Sequence, residues 1–316
     1  MEYKNIKKNI ISKWEQSISD SIFLTPFDLL SWKKTWIDNY GKDFQESFFF
    51  GDNYFAPLMK NNGEVSFIAS KDLCDYNNIL ISDPDISIIQ SLIQEIFKDS
   101  DTKKIFLESI PGDSQLFDYF NNLRNEFKVD IINEDVSPFL VLPDSWELYL
   151  STLRKKHRHE LRRKIRRLEE TVKFSSDDIY DPDEINKNLD EFIYLHKISS
   201  KEKENFMNEN REKFFKELIL NLSRENKIIY SYLKVENKTV SSSLSFYLSD
   251  TRYLYNSGFD PKYNYLSVGL LNHAFAIQRS IAKRFKIFDF MRGNERYKYE
   301  LGGIDKLIYS ITISKE

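Results

Sequence analysis

The sequence predicts an α+β chain of two domains, each built on a sheet flanked by helices. Three observations carry this. The 316 residues suffice for two ordinary cores, and 41% hydrophobic with 30% charged residues is the balance of a soluble globular protein. Short runs with strand and helix periodicity alternate along the chain, so the first half suits a mixed sheet. The second half loosely repeats the order of the first, as a duplicated domain would.

The elements follow in order. Thr25 before Pro26 is an N-cap followed by a residue suited to a first helical turn, so a helix is expected over 27–40. The aromatic run over 44–50 reads as a strand. Strands over 54–59 and 65–69 flank Asn61-Asn62-Gly63, a hairpin signal. A strand over 78–81, a helix from Pro84 to Lys98, a strand over 104–110, a helix over 113–125 and a strand over 127–132 complete the first half. In the second, Asp144 or Ser145 opens a long basic helix over 145–170, with Glu147 placed for a capping box. Helices over 182–199 and 209–225 precede strands over 228–235, 239–248 and 251–257, the first two joined tightly by Glu236-Asn237-Lys238. A helix over 267–285 leads into a strand over 286–291, and 307–313 closes the sheet.

Composition excludes several classes. A formal net charge of −3 argues against a general nucleic-acid-coating protein, though it leaves room for a local basic patch. The single cysteine, Cys74, rules out an intrachain disulfide framework and a cysteine-rich zinc site, and reads as a small semi-buried residue. No apolar run of about 18 residues appears, so no helix is expected to span a membrane. A signal peptide is not evident after Lys4, Lys7 and Lys8, which points to the cytoplasm and leaves peripheral membrane contact open.

Three segments carry chemistry. Arg154 to Arg167 holds nine Lys/Arg in fourteen positions, with Leu153, His157, Leu161, Ile165 and Leu168 as its packing stripe. Such a helix is either a solvated face paired with acids such as Asp177, Asp178, Asp181 or Asp183, or a site for an anion: a carrier phosphate, a nucleotide-linked sugar, tRNA or a lipid headgroup. Arginine forks favour phosphate. Ser267-Val268-Gly269-Leu270 opens a helix just after a strand, where unpaired N–H groups suit a pyrophosphate and Ser267 suits a plain N-cap. The window Phe288 to Gly303 spends three of nine glycines and sets Asp289, Arg292 and Lys298 beside aromatic rings after a short buried strand.

The window Phe288-Asp289-Phe290-Met291-Arg292-Gly293-Asn294-Glu295-Arg296-Tyr297-Lys298-Tyr299-Glu300-Leu301-Gly302 resembles the C-terminal signature of the CelD-like acyltransferases. These are GNAT-superfamily proteins related to the FemABX peptidoglycan aminoacyltransferases. The basic run Leu153 to Lys164 is similar to a helix of the same family, and the two motifs keep the family's order. The resemblance implies two GNAT-like domains, 1–143 and 144–316 with the divide near Pro143, each a mixed, mostly antiparallel sheet flanked by helices. It implies acyl transfer, without a metal, from acyl-coenzyme A, acetyl-coenzyme A foremost. The acceptor would be an amine or hydroxyl of a small-molecule or sugar-nucleotide precursor of the cell envelope or a polysaccharide.

Lys298 resembles the lysine of the FemABX Phe-Lys-x-x-Phe-Gly element, which implies stabilisation of the charge developing on the acyl oxygen. Asp289 is then a base or the partner of Arg292. Arg158 aligns with a phosphate-binding arginine, with Arg162 one turn on; Arg292 and Tyr297 border the acceptor, and Ser267, Gly269 and Leu270 hold carrier phosphates. The chain departs from relatives that carry Ser-Pro-Gly at 267–269, and it lacks the usual glycine-rich loop with its arginine. The alternatives are a FemABX-type aminoacyltransferase using aminoacyl-tRNA and a non-catalytic GNAT-like domain that binds a polyanion.

Overall fold

The computed structural model describes residues 6–123 and 127–314. Its helices and strands are, in chain order, α1 (Lys8–Asp20), α2 (Leu30–Tyr40), β1 (Gln45–Phe50), β2 (Tyr54–Asn61), β3 (Glu64–Phe67), β4 (Leu80–Ile81), α3 (Ile86–Lys98), β5 (Lys104–Pro111), α4 (Gln115–Asn122) and β6 (Lys128–Val141). There follow α5 (Trp146–Thr152), α6 (Lys155–Thr171), β7 (Phe174–Ile179), α7 (Pro182–Ser199), α8 (Lys201–Phe206), α9 (Glu209–Arg224), β8 (Ile228–Val235), β9 (Lys238–Leu248), β10 (Thr251–Phe259), α10 (Val268–Ala282), β11 (Ile287–Asp289), α11 (Arg296–Glu300) and β12 (Ile304–Ser314). Two compact units result: Met1–Val136 with Lys306–Glu316, and Ser137–Asp305.

In the first unit the strands run β1-β2-β3-β5-β12, with β4 on β2, and every pairing is antiparallel except β3 with β5. Asn62 and Gly63 both take positive φ (49° and 80°), the mirror-image turn that matches strand twist. Thr25 caps as expected, in a capping box with Asp28, but the turn it opens is a 3₁₀ turn. Leu29 is extended, so the helix expected over 27–40 starts only at Leu30. The apolar face of α3 (Ile89, Leu92, Ile93, Ile96) and Leu116 and Phe120 of α4 pack on the sheet. The end of the helix expected over 113–125 lies outside the described residues. Cys74 is buried.

In the second unit the order is β6-β11-β10-β9-β8-β7, antiparallel except for the parallel pair β10–β11. Within each unit the strand pairing is thus mixed and mostly antiparallel. Strand β7 was not legible in Phe-Ser-Ser-Asp-Asp-Ile, whose serines and aspartates are poor strand formers. Its Asp178 is buried beneath Arg252 and Arg279, each 2.8 Å away, and Ser231 donates to it at 2.7 Å. Burial raises a carboxyl's pKa, but the two guanidiniums outweigh it and hold Asp178 down to about 2.

The basic helix expected over 145–170 is two helices. Ser145 caps α5 through the Leu148 N–H at 3.2 Å, and the chain is extended at Leu153 and Arg154 before α6 begins. The break lets Leu153 turn into the core, where it is buried. Leu161 and Leu168 are buried beside it, while Asp178 and Asp181 serve other partners; Asp181 caps α7. The cations of α6 instead meet Glu147 (Arg162, 3.2 Å), Glu160 (Arg163, 2.7 Å) and the carbonyls of Ser151 (Arg158, 3.2 Å) and Tyr265 (Arg167, 2.8 Å).

Candidate functional site

The parallel strands β10 and β11 pair only over Thr251–Tyr253 and Ile287–Asp289. Beyond that β10 shifts register between Leu254 and Asn256 and continues to Phe259 against β9 alone. Backbone groups freed along a strand must find other partners. Here α7 and α8 supply them: Lys203 donates to the Ser257 carbonyl at 2.6 Å, and the Phe259 N–H donates to the Ser199 hydroxyl at 2.9 Å. Gly258 makes this approach possible, because a Cβ there would run into the backbone of Leu195 and His196.

Titratable groups gather at this opening. Burial pulls Lys203 down to about 8 although Glu295 and Glu202 oppose it. Burial also takes His196 to about 4, with Lys203 adding to the effect. His273, whose ring stacks on Tyr297 at 5.0 Å, falls to about 3 through burial and the nearby cations Lys203, Arg252 and Lys298. Both histidines are therefore neutral, and burial raises the Tyr297 hydroxyl well above the usual range.

The turn after β11 is tied from within. Asp289, 1% exposed, accepts from the Met291 N–H at 2.8 Å and the Ser137 hydroxyl at 3.4 Å. Lys298 is 2% exposed, and its ammonium donates to the carbonyls of Met291 (2.8 Å), Arg292 (2.6 Å) and Gly293 (3.1 Å), with Glu295 at 2.8 Å. An ammonium has three protons, and here each has an acceptor. Tyr149, buried in α5, donates to the Leu301 carbonyl at 2.9 Å. Gly302 at φ 93° lets the chain pass Leu153, whose methyl lies 2.8 Å from where a Cβ would stand.

Around this fixed turn open two recesses that share His157. One is lined by Lys156, Glu160, Leu161 and Lys164 of α6, Leu270 of α10, and Arg296, Glu300 and Leu301. The other is lined by Leu140, Val141, Thr152, Leu153, Arg154, Tyr299, Gly302, Gly303 and Ile304. The basic helix, the start of α10 and the C-terminal window thus form three walls of one place. Of the expected site residues, Leu270 lines the first recess directly. Ser267 opens α10 in a left-handed conformation, φ 58°, without a side-chain cap bond, and Gly269 lies against the Phe259 ring, 3.0 Å from where a Cβ would stand. Arg158 and Arg162 face α5; neither they nor Asp289, Arg292, Tyr297 or Lys298 is among the residues lining these two recesses.

What sequence reasoning missed is a matter of helical phase and of exposure. Lys156, His157 and Lys164 face the recess where Arg158 and Arg162 were expected, a rotation of one position along α6. Lys203 lies in Lys-Glu-Lys-Glu-Asn, a run indistinguishable in sequence from a solvated surface. Among the described residues, no three His, Cys, Asp or Glu side chains are grouped to hold a metal, and no helix is long and apolar enough to cross a membrane.

Residues 155–299 match the acetyltransferase (GNAT) domain family. That segment is a GNAT domain. The matched GNAT segment begins with α6 and ends inside α11, so it holds the first recess except Glu300 and Leu301. Across both units the fold is similar to a conserved protein of unknown function from Bacteroides thetaiotaomicron (14% identity, TM-score 0.67, 96% of this chain and 97% of that one). It is also similar to FemX (9%, 0.66, 95% and 95%) and to the C-terminal domain of a putative lysylphosphatidylglycerol synthetase from Agrobacterium fabrum (8%, 0.60, 96% and 92%). No curated protein matches the sequence. A GNAT acyltransferase fold supports acyl transfer as the general chemistry.

Proposed function

We propose that this GNAT protein transfers an acyl group, acetyl foremost, from acyl-coenzyme A to an amine or hydroxyl of a small-molecule or sugar-nucleotide precursor of the cell envelope, as in the CelD-like proteins its motifs resemble. The observation that carries the reading is the meeting of α6, the start of α10 and the 289–301 window at one recess. Carrier phosphates fit there: the first turn of α10, at Ser267, Gly269 and Leu270, presents N–H groups and a positive dipole end, with Lys156, Lys164 and Arg296 nearby. Arg158 and Arg162, on the α5 side, serve an acceptor phosphate that replaces Ser151 and Glu147 as their partner.

Holding donor and acceptor together supplies much of the acceleration, and no enzyme-bound intermediate is needed. The acceptor's nitrogen or oxygen bonds to the acyl carbon, its proton goes to a base, and the carrier sulfur leaves. Lys203 is the proton acceptor that suits this step, being half-buried, close to neutral pKa and set at the opening between β10 and β11. Asp289 and Lys298 serve from beneath. They fix the Met291–Gly293 turn and hold Arg292 and Tyr297 in place, and Lys298 adds positive charge near the developing oxyanion.

A second reading, a FemABX-type transfer from aminoacyl-tRNA, draws on the filled edge of β10, where Lys203 and Ser199 already occupy the groups a carrier's amide arm would use. Calorimetric titration separates the two. Saturable binding of acetyl-coenzyme A, weakened in Lys164→Ala, is expected. Binding of aminoacyl-tRNA alone would replace the first reading with the second, and binding of neither would leave a non-catalytic polyanion-binding domain.

A further inference from the structure

The outward face of α6 has a use that the recess does not explain. Lys155, His159, Arg163 and Arg166 point away from the buried Leu161 and Leu168 and are exposed. The side chains of Lys155 and Arg166 make no hydrogen bond or ion pair with any described residue. Unneutralised like charges at helical spacing repel one another, so this ridge costs stability unless an anion meets it.

The surface beside the ridge is apolar where solvated protein is usually polar. Val141 is 64% exposed and Ile304 63% exposed, both at the recess that Arg154 and His157 share. Leu148 is 53% exposed on α5, next to Glu147, the partner of Arg162. Tyr265 is 55% exposed at the other end of α6, where its carbonyl holds Arg167. Protruding apolar side chains that flank a cationic helix, beside Arg154, Arg162 and Arg167, form the pattern of an interfacial membrane contact, the apolar groups entering the acyl boundary and the cations meeting anionic headgroups.

We infer that the second unit docks on an anionic lipid bilayer through the outward ridge of α6, with Val141, Ile304 and Leu148 entering the headgroup region. Two observations favour a bilayer over RNA. Three of the four protruding residues are aliphatic, and aliphatic groups partition into lipid but offer no ring on which a base can stack. The cations are also exposed on one convex helix and not set along a groove that would track a strand. The docking holds whichever acyl donor the recess takes. It would bring the recess beside Val141 to the membrane surface, where lipid-linked acceptors reside.

The test uses the full chain and vesicles of phosphatidylglycerol in phosphatidylcholine. Cosedimentation with these, and not with pure phosphatidylcholine, is expected, falling as salt screens the charges. Lys155→Glu with Arg166→Glu should weaken partitioning about 25-fold or more, at about fivefold for each cation lost. Val141→Ser with Ile304→Ser should weaken it several-fold, with a melting temperature like the parent's. Because the chain's one cysteine is buried, Leu148→Cys accepts an environment-sensitive dye at that position alone, and its emission should shift to the blue on anionic vesicles. Equal uptake by both vesicle types, a dye that stays in water, or indifference to the serine pair would overturn the inference. Tighter binding to duplex RNA than to the anionic vesicles, unaffected by the serine pair, would do so as well.

Discussion

Helix α6 and the window from Asp289 to Gly303 are both rich in cations and both wall the same recess, yet their charges live differently. On α6 the ammonium and guanidinium groups stand in water, and those that have partners hold them loosely at the surface. In the window Lys298 is sunk to 2% exposure among three carbonyls and a carboxylate. A free charge is available to a ligand and contributes little to folding; a committed charge shapes the chain and is expensive to remove. Lys203 stands between them, half-buried and bound to one carbonyl, which is the state that suits a group changing protonation during a reaction.

The strongest attack on this comparison is Lys298→Met. It leaves buried carbonyls and Glu295 without their cation, so denaturant unfolding should show a loss of about 3–5 kcal/mol. Stability equal to the parent's would mean that Lys298 is as loosely held as the cations of α6. Next comes Lys203→Met. If Lys203 accepts the proton, acyl transfer should fall about 10²-fold or more, and the rise in rate through about pH 8 should vanish while the fold survives.

A smaller effect is expected in acid. Asp178 has its carboxyl held at about 2, against 3.8 ordinarily, so its contribution is present above about pH 4 and is lost as pH falls toward 2. That contribution is on the order of 2 kcal/mol, and Asp178→Asn should flatten this part of the stability–pH curve. The smallest belongs to α6: Lys155→Ala and Arg166→Ala should each move stability by less than about 0.5 kcal/mol, upward where like charges are relieved. A loss of several kcal/mol from either would show a committed charge on that helix.

Much of the frame was legible. The hairpin at Asn62-Gly63, strand β8, helix α7 and the fold class all follow from local patterns strong enough to survive tertiary packing. The capping at Thr25 was legible too, but not the extended Leu29 that follows it. Strand β7 was hidden because its Asp178 is stabilised by Arg252 and Arg279, residues about 75 and 100 positions away that no local pattern can reveal. The break at Leu153 escaped for a related reason: its cause is the space beside Gly302, at the other end of the unit's sequence. At the site, the segments the motifs marked meet at one recess, while the depth of Lys298 and the phase of α6 depend on packing that periodicity does not resolve.

Gly258 bears on how this site could be tuned. The backbones of α7 and β10 cross there with no room for even one methyl group, and Lys203 reaches Ser257 only because they do. Position 258 therefore acts as a spacer of zero thickness. Alanine there would be a wedge that lifts the α7–α8 corner, lengthens the lysine's reach and returns it toward water. The acidity of one side chain is in this way set by the absence of another, and the smallest possible insertion would be enough to reset it.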